Sequence, residues 1–160
     1  MKHLALMTFL LIFSFAPQAE ESVISSSGMV DSLVNNLDIS KSQASGGLGS
    51  LFQFAKGNLS TSDFASLTDA IPGLDGLLGA APDVSSSLSS GGLGGLLGKA
   101  SEYSDSMKGL ANLKSQFDAL GLDPAMIQSF ASQALSYLNT DQGSQAKSLL
   151  EQGLGGLLGG

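Results

Sequence analysis

The dipeptide Gly98-Lys99 is the place in this sequence where a phosphate-binding loop could lie, and its surroundings exclude one. A P-loop needs a glycine five residues before the glycine of that dipeptide and a serine or threonine after the lysine, because backbone N–H groups cradle the phosphates and the hydroxyl holds magnesium. Leu93 and Ala100 occupy those two positions. The dinucleotide fingerprint G-x-G-x-x-G fails nearby, since Leu97 stands where its third glycine is required. We therefore predict no cofactor-binding residues.

The sequence also has few side chains that could act as a catalytic nucleophile, as its base or as a metal ligand. A catalytic serine needs a base, usually histidine, and the only histidine, His3, lies in a segment that we expect to be removed. The spacing Ser144-x-x-Lys147 would place both groups on one solvated helix face, with no other motif of a Ser–Lys enzyme. Cysteine is absent, the carboxylates are scattered, and there is no twelve-residue calcium loop. The sequence predicts a protein that is not an enzyme, with no catalytic residues and no metal site.

The N-terminus has the pattern of a secretory signal peptide. Lys2 and His3 precede an apolar run at residues 4–15, which is shorter than the roughly 20 residues that span a bilayer. We place the signal peptide at residues 1–19, with cleavage after Ala19 and before Glu20. The predicted location is therefore exported, either periplasmic or secreted, with no transmembrane anchor after cleavage.

Charge and composition limit the classes of partner that the protein can bind. The chain has a formal net charge of −7 and no tryptophan or disulfide-forming cysteine, and removal of the signal peptide makes it one unit more acidic. An acidic surface repels nucleic-acid phosphates and anionic lipid headgroups, so nucleic acid is excluded as a partner. An apolar fraction of 42% is that of a globular protein rather than a disordered chain.

Apolar residues recur at helical spacing along the mature chain, which predicts an all-α fold. We expect a small bundle of about six short helices. Ser40 with Gln43 forms a capping box, Ser60 with Asp63 starts the next helix, and Gly121 and Asp123-Pro124 mark an end and a start. The predicted helices cover residues 27–37, 40–57, 60–71, 93–120, 124–138 and 144 onward into the closing heptapeptide.

A heptapeptide of the form GLxGLLG occurs three times, at residues 73–79, 92–98 and 153–159. Its leucines fall on one helix face, whereas each helical glycine costs up to about 1 kcal/mol relative to alanine. Two interpretations account for that cost. The heptapeptides either pack closely as helix ends against neighbouring helices, as G-x-x-x-G spacings such as Gly155/Gly159 allow, or they contact a membrane or a partner's groove.

The mature chain divides at a serine-rich stretch. We predict an N-terminal helical half at residues 20–81, a linker at 82–91 and a C-terminal helical half at 92–160. Residues 37–55 align without gaps to residues 120–138, which is consistent with two duplicated helical halves. Chance similarity between amphipathic helices is the alternative explanation.

Two blocks of the sequence, at residues 42–82 and 117–138, resemble a bacterial family of unknown function, the VcgC/VcgE-like proteins. The resemblance covers most of the mature chain, so residues 20–160 would form one family-like domain. It implies a periplasmic or secreted, mainly helical protein from a Gram-negative bacterium. It implies no activity, because the family has no established catalytic or binding residues to carry over.

The function itself is unknown from sequence, and three hypotheses follow. The first is a non-enzymatic exported protein that binds an unknown protein or lipid partner through apolar helix grooves, with self-association left open. The second is a membrane-active or lipid-binding protein that uses the GLxGLLG segments. The third is a hydrolase that uses scattered carboxylates.

Overall fold

The computed structural model describes residues 24–84 and 105–158, and this part of the chain is helical with no strands. The predicted signal peptide, the linker beyond Val84 and the second heptapeptide lie outside the described residues. Eight helices are described: α1 Ser26–Leu37, α2 Lys41–Asn58, α3 Thr61–Ala70, α4 Leu74–Ala80, α5 Asp105–Ala119, α6 Met126–Tyr137, α7 Ser144–Gly153 and α8 Gly155–Leu158. The predicted all-α fold is confirmed. The first heptapeptide forms a helix of its own, α4, and the last predicted helix is divided at Leu154 into α7 and α8.

The helix boundaries follow the capping signals in the sequence. Ser40 accepts a hydrogen bond from the backbone N–H of Gln43, whose side chain accepts one from the N–H of Ser40, so the predicted capping box is present. Ser60 caps α3 through the N–H of Asp63 at 3.2 Å. Gly121, just after α5, has a φ of +70°, which a glycine adopts without steric cost. These local hydrogen bonds fix where α2, α3 and α5 begin or end.

The observed start of α6 differs from the predicted one. Asp123 does not cap α6 directly, because its Oδ1 accepts from the N–H of Ala125 at 2.7 Å and its carbonyl accepts from the N–H of Met126. The resulting turn occupies residues 123–125, and α6 begins at Met126. A carboxylate that bonds two residues ahead forms an Asx-type turn, which here precedes the helix instead of opening it.

Helix α2 lies at the centre of the described fold and packs against α1, α4, α5, α6 and α7. Its buried side chains join those of its neighbours in one apolar core, which includes a perpendicular Phe117–Phe130 ring pair with centroids 5.0 Å apart. The buried hydroxyl of Ser50 donates to the carbonyl of Gly46 within the same helix, so it adds no unpaired polar group to the core.

Glycines in the first half of α2 let its neighbours approach the helix backbone. A Cβ at Gly49 would overlap the carbonyl oxygen of Leu77 in α4, and a Cβ at Gly47 would overlap the ring of Phe130 in α6. A Cβ at Gly46 would lie 2.6 Å from a methyl carbon of Leu120. The helix propensity lost at these glycines is therefore offset by helix contacts that no larger residue permits.

Candidate binding cleft

The residues that could have formed a Ser–Lys pair are turned to other partners. The Ser144 hydroxyl donates to the carbonyl of Asp141 at 3.1 Å. The Lys147 ammonium donates to Asn139 Oδ1 at 3.1 Å and lies 3.9 Å from the Glu151 carboxylate. Within residues 24–84 and 105–158, no group of three His, Cys, Asp or Glu side chains is placed to hold a metal ion.

Leucine side chains of the first and third heptapeptides pack in or against the protein core, as far as the structure describes them. Leu74 and Leu77 are buried in the first copy, and Leu154 is buried in the third. Leu157 is partly buried against the same core. These segments therefore act as short helices that cover the core.

The glycines of the same heptapeptides do not share the role that their spacing suggested. In each described copy the first glycine is constrained: Gly73 has a φ of +84°, and a Cβ at Gly153 would lie 2.8 Å from that of Ala55. At the later positions of these copies, a Cβ meets nothing within 4 Å, and this holds for Gly76, Gly79, Gly155 and Gly156. The prediction that Gly155 allows close packing against a neighbouring helix is therefore wrong. The described leucines of this heptapeptide face inward, so Gly155 faces outward.

No helix in the described ranges is both long enough and apolar enough to cross a membrane.

A cleft of about 700 Å³ lies between α2, α4 and α5. Residues just after α4 form one end of it. Its lining is mixed, with side-chain amides beside small and apolar residues: Ser50, Gln53, Phe54, Leu78, Gly79, Ala81, Pro82, Asp83, Val84, Gly109, Asn112 and Gln116. A volume of this size is typical of sites for small molecules or a few residues of peptide.

Two glutamines connect the walls of the cleft. Gln53 of α2 donates from Nε2 to the carbonyl of Leu78 at 3.2 Å. Gln116 of α5 donates from Nε2 both to Gln53 Oε1 at 2.9 Å and to the carbonyl of Pro82 at 3.1 Å. These three bonds hold α2, α5 and the segment after α4 together around the cleft.

The orientation of the Gln116 amide follows from these partners. The carbonyl of Pro82 can only accept, so the atom that it faces must be the Nε2 of Gln116. Both hydrogens of Nε2 are then used, and no described residue donates to Oε1. Gln116 is only 6% exposed, yet no buried side-chain nitrogen or oxygen in the described residues lacks a partner. Oε1 therefore keeps some exposure to solvent, and Gln116 is one of the residues that line the cleft.

This cleft was not predicted from the sequence, although one signal for it is present there. Residues 113, 116, 117 and 120 follow the helical spacing i, i+3, i+4, i+7, so Gln116 stands on the apolar face of α5 between Leu113 and Phe117. A glutamine on an apolar face must find hydrogen-bond partners when it is buried. Its partners, Gln53 and Pro82, are too distant in sequence to be identified without the fold.

A protein-family model described as "Protein of unknown function VcgC/VcgE" matches residues 14–155 of the chain. No curated protein and no solved structure matches it significantly.

Proposed function

The chain belongs to the VcgC/VcgE family of proteins of unknown function, and from that premise we propose that it is an exported, non-enzymatic binding protein whose ligand occupies the cleft between α2, α4 and α5. The cleft carries this proposal. It combines a volume of about 700 Å³ with the buried amide of Gln116, whose Oε1 has no donor in the described fold. Hydrogen-bonding groups set into a partly apolar concavity are the usual features of a ligand site.

The positions of the heptapeptide leucines favour this function over membrane activity. Insertion into a bilayer needs an apolar helix face that is exposed and, on anionic lipids, a basic opposite face. Leu74, Leu77 and Leu154 already contribute their apolar surface to the core. For the described heptapeptides, membrane insertion would therefore require part of the fold to open.

Filling the cleft is expected to weaken binding without unfolding the protein. Gly79 lines the cleft and a Cβ there meets open space, so we expect Gly79→Leu to reduce ligand affinity at least about tenfold, or about 1.4 kcal/mol. Gly76→Leu is the matched control, because Gly76 lies in the same helix, is equally open and does not line the cleft.

The measurement is a titration of ¹⁵N-labelled protein with three neutral probes: a capped pentapeptide, N-acetylglucosamine and 1-hexanol. Saturable shifts at Ser50, Asn112 and Gln116 with at least one probe, weakened in Gly79→Leu and kept in Gly76→Leu, would support the proposed site. The proposal fails if no probe at millimolar concentration shifts these residues, or if both variants bind alike.

The proposed export predicts where the protein is found in the cell and at which residue it begins. When the full chain is produced in a Gram-negative host, we expect the protein in the periplasm or medium with Glu20 as its first residue. Intact-mass measurement of each fraction tests this. Full-length protein that retains residues 1–19 and stays in the cytoplasm would contradict export, whereas processing a few residues from Ala19 would move only the cleavage site.

A further inference from the structure

We propose that the ligand of the cleft is a neutral peptide segment of a partner protein, and that a backbone N–H of this segment donates a hydrogen bond to Oε1 of Gln116. This inference rests on the proposed function and specifies the chemistry of its ligand. Its starting point is that Gln116 is more than nine-tenths buried while its Oε1 has no donor in the described fold.

The bonds of Gln116 hold that oxygen in place before a ligand arrives. Nε2 is bonded to Gln53 on one side and to Pro82 on the other, at 2.9 and 3.1 Å. An acceptor fixed in this way loses little side-chain entropy on binding, so a donor that meets it gains more than it would from a free surface glutamine. A ligand without a donor would instead displace water from Oε1 and leave it unpaired.

The charge of the described lining disfavours an anionic ligand. Asp83 is the one ionisable residue among the described residues that line the cleft, so these residues provide no cation to pair with a phosphate or carboxylate. The polar groups of the lining are instead neutral, namely Ser50, Gln53, Asn112 and Gln116. Side-chain amides carry both donors and acceptors, which is also the hydrogen-bonding pattern of a peptide backbone.

The rest of the lining favours a peptide over a sugar. Among the described residues that line the cleft, the one aromatic ring is that of Phe54, which is 5% exposed and offers little face for a sugar to stack on. Apolar contact is available from Leu78 and Val84, and small residues such as Gly79 and Ala81 would let a backbone come close. A backbone with apolar side chains matches both features.

Two kinds of substitution test this inference, one in the ligand and one in the protein. The probe is a capped pentapeptide, acetyl-Gly-Leu-Ser-Leu-Gly-amide, compared with the same peptide N-methylated along its backbone so that it has no backbone donors. We expect wild-type protein to bind the unmethylated peptide at the cleft at least about tenfold more tightly. We expect Gln116→Met, which removes Oε1 at similar volume, to remove that preference.

Gln133→Met is the matched control for the protein variant. Gln133 also joins two helices through its side chain, donating to Ser32 Oγ at 3.1 Å, but it lies outside the cleft. It should keep the preference for the unmethylated peptide. The comparison of the two peptides on wild-type protein needs no variant, so equal binding would overturn the inference even if Gln116→Met does not fold.

Equal binding of the two peptides, or an unchanged preference in Gln116→Met, would overturn the inference. Binding of N-acetylglucosamine or 1-hexanol at the cleft without the peptide would overturn it too, while leaving the proposed function standing. If no probe binds at the cleft, both the inference and the proposed function fail.

Discussion

Replacing Gly49 with alanine is expected to lower the free energy of unfolding by about 3 kcal/mol, although alanine is the better helix former. The added methyl group would overlap the carbonyl oxygen of Leu77 and lie 2.9 Å from its carbonyl carbon and 3.1 Å from the nitrogen of Ala81. These are backbone atoms, so rotation of a side chain cannot relieve the overlap. Helix α4 would have to move away from α2, which would expose part of the core.

Urea unfolding followed by circular dichroism measures this effect, with Gly57→Ala as the control. Gly57 lies in the same helix, and a Cβ there meets nothing within 4 Å. Its replacement should leave stability unchanged or raise it by up to about 1 kcal/mol. If Gly49→Ala were as stable as Gly57→Ala, the close approach of α4 to α2 would be wrong.

Truncating the heptapeptide leucines is expected to have an effect of similar size. Leu74→Ala and Leu154→Ala should each lower the free energy of unfolding by about 2–5 kcal/mol, because both side chains are fully buried and their loss leaves a cavity. Gly156→Ala in the same heptapeptide as Leu154 is the control. A Cβ at Gly156 meets open space, so this change should shift stability by less than about 1 kcal/mol.

The same variants discriminate between core packing and membrane contact. Core packing predicts a loss of stability in the leucine variants and no co-sedimentation of the wild-type protein with liposomes. Membrane contact predicts the reverse, with stable leucine variants and co-sedimentation that Leu74→Ala or Leu154→Ala weakens. Thermal unfolding and liposome sedimentation on the same samples therefore decide which role the leucines have.

Those parts of the fold that depend on neighbouring residues could be predicted from the sequence. Ser40 with Gln43, Ser60 with Asp63 and Gly121 each act within a few residues, so their effect on helix ends does not depend on distant contacts. Asp123 shows the limit of this reasoning, since an aspartate before a proline can form either a cap or a preceding turn. Local pattern alone does not choose between the two.

Contacts between distant segments could not be predicted in the same way. The sequence pattern predicted close packing at the glycines of the heptapeptides, whereas Gly46, Gly47 and Gly49 of α2 make the close contacts. The arrangement of the neighbouring helices decides which glycines make close contacts, and the spacing of glycines along the sequence does not show it. The cleft depends on that arrangement as well, because Gln53 and Gln116 meet only when α2 and α5 pack together.

The glycines of α2 also affect the order in which the protein can fold. An 18-residue helix with four glycines is a weak helix by itself, since each interior glycine costs about 1 kcal/mol relative to alanine. The segments that cover it include α5, α6 and α7, and in α7 a Cβ at Gly153 would lie 2.8 Å from that of Ala55. We therefore expect α2 to become a stable helix only after α7 has been made, so that the centre of the fold forms late in synthesis.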